Sequence, residues 1–511
     1  MVREDASFGP TMRCALVLLA VLAAAGARAQ PQRPDIVVVV ADDLGMGDVG
    51  YAGATDLATP HLDALAAEGV VLDRFYVAPR CSPSRAGLLT GRYPSRMGVS
   101  EAVAWADTVG LPAAETTLPE RLRAAGYETA LVGKWHLGTA CRHHPTRHGF
   151  DAFVGLLGGG ARYFTRETPH GVDWWRGVTA ATADGYTTDV LADEAVARLT
   201  APREAPLYLH LAFTAPHVPN EARPDDLARH PDLDEPRRTH VAMVERLDHA
   251  VGRVMDAVRA SPRPTLVWFL SDNGAIHRHG GANAPLRGEK GQALEGGIRV
   301  PAVVWYPAWE SRRIEHPVWY LDLAPTLADL AGAPAAGPPP DGASQADQLA
   351  GAPPTRALLD RVLYTFMPAA DGGAWLAAQT AAWKYVGVPD AGDGLFHIAT
   401  DASEQTDVGA EHPAVLGRLR AGARAHADGV PAWATRDLSL PTPGLLDLTA
   451  CGGTLAPRPT TVPLAVEQER ARRDAERVRL GWVWPGLAVV LALAAGAGGL
   501  LFRRRRAREP E

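Results

Sequence analysis

Four apolar runs in the first 270 residues each end in a polar cluster. The runs are Asp35–Ala41, Thr129–Val132, Leu207–Phe213 and Thr265–Leu270. Continuous apolar runs of this length, rich in β-branched residues, predict strands buried on both faces of a parallel sheet. The polar clusters that follow the runs are DD from Asp42, GKWH from Gly133, TAPH from Thr214 and SDNG from Ser271.

Amphipathic segments between these runs predict helices at Thr59–Glu68, Thr117–Ala125 and His240–Val258. Alternating strands and helices favour the α/β class, with a large mixed, mostly parallel sheet sandwiched by helices. Ligands of open α/β sheets bind at the carboxyl ends of the strands. We therefore expect the four polar clusters to meet in one cleft, although each alone is compatible with an ordinary strand-to-loop transition.

The pattern changes beyond about residue 365. Short strands are predicted within Ala374–Val388 and Leu395–Ile398, and a helix near Pro413–Ala427. This order predicts a smaller C-terminal α+β domain with antiparallel strands. Residues 441–480 predict a linker followed by a charged helix.

Both termini carry apolar segments. Arg13 precedes the run Cys14–Ala25, and Ala27–Ala29 has the form of a cleavage site, which predicts a secretory signal peptide. The uncharged segment Gly481–Phe502 would span roughly 33 Å as a helix, and Arg503–Arg506 follows it, which predicts a transmembrane helix. We expect a secreted protein anchored on the periplasmic or cell-surface side, with later cleavage of the anchor left open. A buried core helix is the alternative at either end.

These patterns predict six segments. They are a signal peptide (1–29), a main α/β domain (30–365), a small C-terminal domain (366–440), a linker with a juxtamembrane helix (441–480), a transmembrane helix (481–502) and a cytoplasmic tail (503–511).

Composition and charge limit the classes of partner that the protein can bind. The chain is 47% hydrophobic and 21% charged, as in globular proteins. Of the net charge of -7, the two terminal segments contribute about +1 and +3, so residues 30–502 carry about -11. This acidic balance argues against nucleic acid as a partner. Of four cysteines, Cys141 and Cys451 are free to pair with each other outside the cytoplasm, and the sequence leaves that pairing open.

The segment Cys81–Arg92 reads CSPSRAGLLTGR. Here the chain resembles the formylglycine-dependent sulfatases of the alkaline phosphatase-like superfamily, whose C-x-P-x-R signature is followed by T-G-[RK]. In that family a formylglycine-generating enzyme reads the signature and oxidises the cysteine to an aldehyde. The resemblance covers roughly residues 34–400. Without it, Cys81 would be interpreted as a structural or reactive thiol.

The resemblance implies hydrolysis of sulfate esters, namely aryl sulfates and, in vivo, sulfated sugars or other small molecules. A hydrated aldehyde carries two hydroxyls on one carbon. One attacks sulfur and expels the alcohol, and the other then drives collapse to the aldehyde with release of sulfate. A plain serine or cysteine lacks the second hydroxyl and would stall.

The resemblance also implies a divalent metal. The family pattern ADD…SDNG matches Asp42, Asp43, Asp272 and Asn273, and Cys81 completes the expected ligand set. Oxygen ligands of this kind suit Ca²⁺, with Mg²⁺ as the alternative. Taken alone, paired aspartates also cap helices, and D-N-G is a common turn.

Five further residues take expected roles from the family motifs. Lys134 would bind a sulfate oxygen, and His136 would take the proton when the intermediate collapses. His217 and Lys290 would reach the leaving oxygen, and Arg85 would steady the hydrate with charge-assisted hydrogen bonds.

Two details refine the resemblance. Pro285–Lys290 and Glu295–Pro301 look like the P-L-R-G-x-K…E-G-G-x-R of the arylsulfatase B-like branch, which includes enzymes acting on sulfated amino sugars. Gly158–Gly160 stand where many arylsulfatases carry a serine, so we expect a substrate hydrogen bond to be lost or supplied elsewhere.

Two other functions are compatible with parts of the pattern. Related enzymes hydrolyse phosphonate monoesters or phosphodiesters with the same nucleophile, and a glycan-binding surface protein without catalysis would require altered site residues. The GKWHLG and RGEK segments favour the sulfatase.

Overall fold

The computed structural model describes residues 33–103, 109–369, 373–388, 392–430 and 448–454. Its strands are β1 (Asp35–Ala41), β2 (Val70–Leu72), β3 (Phe75–Tyr76), β4 (Glu128–Lys134), β5 (Ala152–Leu156), β6 (Glu167–Thr168), β7 (Gly171–Val172), β8 (Trp175–Arg176), β9 (Thr179–Ala180), β10 (Leu207–Ala212), β11 (Thr265–Ser271), β12 (Ala302–Trp305), β13 (Arg312–Ile314), β14 (Val318–Trp319), β15 (Leu363–Pro368), β16 (Ala374–Gln379), β17 (Lys384–Val388) and β18 (Gly392–Phe396). Its α-helices are α1 (Pro60–Glu68), α2 (Cys81–Thr90), α3 (Leu118–Ala124), α4 (Thr187–Thr200), α5 (Pro224–Leu227), α6 (Arg237–Ala260), α7 (Glu295–Ile298), α8 (Leu323–Leu330), α9 (Ala346–Leu349), α10 (Arg356–Asp360) and α11 (Pro413–Asp428).

A ten-stranded sheet forms the centre of the molecule, in the order β13-β2-β12-β11-β1-β10-β4-β5-β8-β9. The five strands from β11 to β5 run parallel, and β12 and β8 pair antiparallel at either side of them. The predicted fold class, a mixed and mostly parallel sheet, is confirmed.

Strand β1 explains why the sheet is covered on both faces. All seven of its residues are buried. Ile36, Val38 and Val40 enter a core cluster that includes residues of α2, α3 and α8. Val37 and Val39 enter a second cluster with residues of α1, α4 and α6. Because successive side chains point to opposite faces, an unbroken apolar run is what a strand between two helical layers requires.

The predicted helices form with small changes at their ends. Helix α3 begins after Thr117, whose side chain accepts from the Glu120 backbone while Glu120 bonds back to Thr117. This reciprocal capping box explains the start of the helix. Helix α6 is the longest described helix, with 24 residues, and begins three residues before the predicted His240.

A separate four-stranded antiparallel sheet, β15-β16-β17-β18, follows the main sheet. Helix α11 covers it, and Leu419 and Ala423 pack on Ala378, Tyr385 and Leu395. The antiparallel C-terminal part of the fold is thereby confirmed, whereas the domain boundaries at residues 365 and 440 stay predictions.

The pairing left open by the sequence is present in the structure. Cys141 and Cys451 form a disulfide with a Cα–Cα distance of 5.6 Å, within the usual range. The short segment around Cys451 also bonds to the main domain, since Thr454 N donates to Val178 O at 3.2 Å. The disulfide and this backbone bond hold the segment against the edge of the central sheet.

The predicted membrane-anchored location is not supported and is corrected. Within the described ranges, no helix has the length and apolar character needed to cross a bilayer. Even the 24-residue α6 carries charged side chains along its length, Glu245, Arg246, Asp248 and Arg253 among them. The predicted signal peptide (1–29), juxtamembrane helix and transmembrane helix (481–502) lie outside the described residues.

Candidate functional site

The polar clusters meet at the carboxyl edge of the central sheet, as predicted. Asp42 and Asp43 follow β1, and Asp272 and Asn273 follow the neighbouring β11. Asp42 N donates to Ala215 O at 3.1 Å, and Asp272 N donates to Ala41 O at 3.0 Å. The strand register therefore continues into the loops and fixes where the carboxylates point.

Three carboxylates lie together in this cleft. Asp42, Asp43 and Asp272 are buried, and each offers an oxygen within 4.8 Å of the others. Among the described residues, Asp42 Oδ1 and Asn273 Oδ1 are buried without a hydrogen-bond partner. Buried oxygens are rarely left unpaired unless an ion or water completes them. This donor set of oxygens fits a hard divalent cation.

Each carboxylate has a cationic side chain in close contact. Lys134 Nζ lies 2.5 Å from Asp42 Oδ2, and Lys290 Nζ donates to Asp43 Oδ1. The guanidinium of Arg85 donates to Asp272 Oδ2 at 2.8 and 3.0 Å. The three positive and three negative side chains balance, so a divalent cation would give the site the positive charge that an anionic ester requires.

Burial and neighbouring charge shift the acidities in opposite directions. Burial, and then the Asp272 carboxylate, raise the pKa of Asp42 to about 7 against the opposing charges of Lys134 and Arg85. Burial would also raise the pKa of Asp43, but Lys290, His217 and Asn273 together outweigh it and hold that pKa well below its usual range. Asp43 therefore favours its ionised form, whereas burial favours protonation of Asp42 as long as no cation is bound.

Cys81 is the first residue of α2 and is 2% exposed. Its Sγ lies within 4.8 Å of ligand atoms of Asp42 and His217. The next residue, Ser82, donates its hydroxyl to His136 O at 2.8 Å, which ties the start of the helix to the GKWH loop.

The two predicted histidines lie in the same cleft. His217 Nδ1 contacts Val218 O at 2.7 Å, which leaves Nε2 facing Asp43 Oδ2 at 3.8 Å. His136 Nδ1 is buried and has no hydrogen-bond partner among the described residues. Burial lowers the pKa of both rings well below its usual value, with Lys134 adding to the effect at His136. Both imidazoles therefore favour the neutral form while the cleft holds no anionic ligand.

Two site residues hold strained backbone. Asp43 has φ 67° and His136 has φ 59°, in the left-handed region that non-glycine residues rarely adopt. Such conformations cost about 1–3 kcal/mol each and persist where the surroundings fix them, often at functional sites. All ten residues predicted for metal binding or catalysis, of which Cys81 belongs to both sets, come together at this edge of the sheet.

Gly159 and Gly160, in the region where many arylsulfatases carry a serine, lie against the rings of His136 and His217. A Cβ atom on Gly159 would lie 2.6 Å from His136 Nε2, and one on Gly160 would lie 3.2 Å from His217 Nδ1. The first distance excludes any side chain unless the His136 ring moves. The glycines therefore leave room for the rings, a role that the sequence pattern alone does not indicate.

Sequence reasoning missed two buried residues that hold two different loops of the site. Asp173 accepts from the backbone N–H groups of Leu157 and Gly158 at 2.9 and 2.8 Å. The hydroxyl of Tyr163 lies 2.7 Å from Thr214 O and 2.8 Å from His217 O. Neither residue belongs to a recognisable motif, because each acts on backbone atoms of a distant segment.

Comparison with known proteins agrees with this geometry. The family profile described as Sulfatase matches residues 34–333. Steryl-sulfatase of Mus musculus is 35% identical over 395 residues, which cover 59% of this chain and 62% of the relative. N-acetylgalactosamine-6-sulfatase of Rattus norvegicus is 34% identical over 354 residues, which cover 63% of this chain and 67% of the relative. The chain thus spans about two thirds of the length of these curated relatives.

A solved structure extends the likeness to most of the chain. The complex of Ps i-CgsB with k-i-k-neocarrahexaose superposes with a TM-score of 0.72 at 31% identity, covering 82% of this chain and 96% of the other. The profile match covers more than half of the chain and includes the carboxylates, the CSPSR segment and both lysines. The chain therefore belongs to the sulfatase family.

Proposed function

We propose that the protein hydrolyses sulfate esters with a formylglycine made from Cys81. The observation that carries this proposal is the position of the Cys81 side chain, buried at the start of α2 beside Asp42 and His217. When formed, the hydrated aldehyde would supply a nucleophile with a second hydroxyl for release of sulfate. The family membership supports the same chemistry.

The metal site would consist of Asp42, Asp43, Asp272, Asn273 and the modified Cys81. Their free oxygens, two of which are buried and unpaired among the described residues, fit Ca²⁺, with Mg²⁺ as the alternative. The cation would polarise sulfate oxygens and favour deprotonation of the hydrate. Exhaustive chelation should abolish activity, and restoring Ca²⁺ or Mg²⁺ separately should identify the ion.

The cationic side chains would hold the sulfate and the departing oxygen. Lys134 and Arg85 stand beside Asp42 and Asp272, where they can donate to sulfate oxygens and to the nucleophile. Burial would lower the pKa of Lys290, but Asp43 and the other anionic groups of the cleft together raise it above its usual value, so Lys290 keeps its proton. We propose Lys290 and His217 at the leaving oxygen, and His136 as the acceptor of the proton released with sulfate.

We propose a sulfated sugar as the substrate class. One relative is named for N-acetylgalactosamine-6-sulfate, and the solved structure holds k-i-k-neocarrahexaose. A formylglycine-generating enzyme is the partner that the modification requires. The branch within the family, arylsulfatase B-like in the sequence pattern, stays a prediction.

Mass spectrometry of the peptide that contains Cys81 tests the nucleophile. Protein co-expressed with a formylglycine-generating enzyme should carry the aldehyde or its hydrate and should turn over nitrophenyl sulfate. Cys81→Ala should abolish this turnover. The wild-type rate on nitrophenyl phosphonate, compared with the rate on nitrophenyl sulfate, tests the substrate class. An active preparation that contains only free thiol would refute the mechanism, and faster hydrolysis of the phosphonate would refute the substrate class.

A further inference from the structure

A fully buried ionic cluster joins the C-terminal sheet to the main domain. Lys384, the first residue of β17, places its Nζ 2.9 Å from Glu295 Oε1 and 2.9 Å from Glu404 Oε1. All three side chains are 0% exposed. Glu404 Oε2 accepts from the Glu295 backbone N–H at 2.9 Å, and the Tyr76 hydroxyl donates to Glu295 Oε2 at 3.0 Å.

This cluster is costly to bury. Removing charges from water carries a desolvation penalty that mutual attraction offsets only partly, so a buried ion pair is a poor source of net stability. Glu404 also adopts φ 52°, a strained conformation for a glutamate. Each charge is nevertheless closely paired, which fixes the relative position of the elements that carry them.

One of those elements, α7, contacts two loops of the site through its backbone. One loop carries Lys290 and the other carries Asn273. Gly296 N donates to Arg287 O at 2.7 Å, three residues before Lys290. Gly274 N, next to Asn273, donates to Gly297 O at 3.0 Å. A Cβ on Gly274 would lie 1.8 Å from Gly296 O, so the two backbones are in direct contact. A displacement of α7 would therefore move both loops.

We propose that Lys384 is a positioning residue for the site: it holds α7 through Glu295, and α7 sets the positions of Lys290 and Asn273. Lys384 touches no reacting atom and acts from a different sheet. The proposal deepens the proposed function, because it assigns the C-terminal sheet a part in catalysis.

The test compares Lys384→Met with a matched variant, Arg420→Met, in the full chain. Arg420 lies on α11 and pairs with Asp393 of β18 at 2.6 Å, so it belongs to the same C-terminal unit without contacting α7. Amide hydrogen exchange over residues 272–298 should accelerate at least about tenfold in Lys384→Met and stay within about twofold of wild type in Arg420→Met. Equal exchange in the two variants would overturn the proposal.

Kinetics give an independent measure. Lys384→Met should lower kcat on nitrophenyl sulfate by about 10–100-fold, with little change in KM. A loss of this size in kcat is typical when a residue that orients metal ligands, without binding the metal, is replaced. In a Lys290→Ala background the same substitution should cost much less, since one of its two targets is already absent. An equal loss in both backgrounds would contradict the assigned route.

A folding defect would not block the test. Lys384→Met/Glu404→Gln removes one positive and one negative charge together, keeps an oxygen that can accept from Glu295 N, and serves if the single variant does not fold. The exchange measurement also separates this proposal from the proposed function. A wild type without sulfatase activity would refute the function, whereas unchanged exchange in the double variant would refute the positioning role.

Discussion

At the site, Asp42 and Asp272 each bind a cationic side chain with one oxygen and leave the other oxygen facing the cleft. Asp42 gives Oδ2 to Lys134 and leaves Oδ1 unpaired among the described residues. Asp272 gives Oδ2 to Arg85, while its Oδ1 accepts, within the described part of the chain, a single long 3.3 Å bond from Asp43 N. The paired oxygen fixes the rotamer of the aspartate, so the free oxygen is held in place before any ion arrives.

At the scale of single residues, the two histidines should respond differently to the leaving group. If His217 assists the departing oxygen, His217→Ala should impair esters of poor leaving groups far more than nitrophenyl esters, by a factor on the order of 10²–10⁴. His136→Ala should slow sulfate release for all substrates about equally and show an initial burst of alcohol. Lys290→Ala should resemble His217→Ala. Rates across a series of leaving-group pKa values, measured with rapid mixing, provide the check.

The roles are assigned wrongly if both histidine variants show the same dependence on leaving-group pKa and neither shows a burst. Wild-type enzyme measured on the same substrate series is the control. A second control is Arg420→Met, which lies outside the cleft on α11.

Gly159 offers a direct test of space beside His136. Gly159→Ala would place a methyl group 2.6 Å from His136 Nε2, so the ring must move and kcat should fall at least about tenfold. Gly417→Ala is the matched control, because a Cβ there meets no atom within 4 Å on the exposed side of α11. That control should keep full activity and gain about 0.5–1 kcal/mol of stability from helix propensity. Wild-type kcat in Gly159→Ala would show that the ring has room to spare.

Residues with a motif could be named from the sequence, and residues without one could not. Cys81 and Lys134 stand in short segments whose letters carry the resemblance. Asp173 reaches back to the backbone of Leu157, and nothing in its own neighbours reveals that contact. The sequence shows Gly159 in the region where many arylsulfatases carry a serine, yet only the ring of His136 explains why a side chain is excluded there.

At the scale of elements, α6 supports α1 through one buried carboxylate. Asp248 on α6 accepts from Leu62 N at 2.8 Å and from His61 N at 3.2 Å, both in the first turn of α1. It therefore satisfies N–H groups that a helix leaves unpaired at its start, as a capping residue on a neighbouring helix.

The acidity of Asp248 gives a prediction with a definite sign. Burial raises its pKa to about 6 in the fold, from an ordinary value of 3.8, so the fold favours the protonated form. That contribution is present below about pH 4 and is lost as pH rises through 6. Asp248→Asn carries no titrating group, so its free energy of unfolding should improve relative to wild type between pH 4 and 6.

Urea denaturation at several pH values measures this difference. Asp225→Asn is the control, because that side chain is 92% exposed and its curve should stay parallel to wild type. Parallel curves for Asp248→Asn as well would show that Asp248 keeps an ordinary pKa in the folded protein.

The bounds of elements with a clear hydrophobic pattern could be predicted to within a few residues. Strand β1 matches its predicted bounds because an unbroken apolar run leaves little choice of register. The short helix α9 at Ala346–Leu349 lies in a segment rich in Pro, Gly and Ala, whose composition favours a loop. Its position depends on tertiary contacts, which local pattern does not report.

At the scale of the whole molecule, the disulfide ties together residues 310 positions apart. Cross-links that close long loops restrict the unfolded chain and typically contribute about 2–4 kcal/mol. The variant Cys141→Ser/Cys451→Ser should lose stability in that range. Denaturation of wild type with and without reductant, compared with the variant, provides the measurement. Identical midpoints in all three samples would show that the cross-link adds nothing.

The burial of α2 has a consequence for the life history of the protein. Every residue from Cys81 to Thr90 is buried in the folded chain. On the proposed function, the modifying enzyme must read this segment as an exposed peptide, and the finished fold no longer presents it. Oxidation and folding therefore compete for each newly made chain, and a molecule that folds first retains the Cys81 thiol. The specific activity of a preparation then reports the fraction of molecules that were oxidised before they folded.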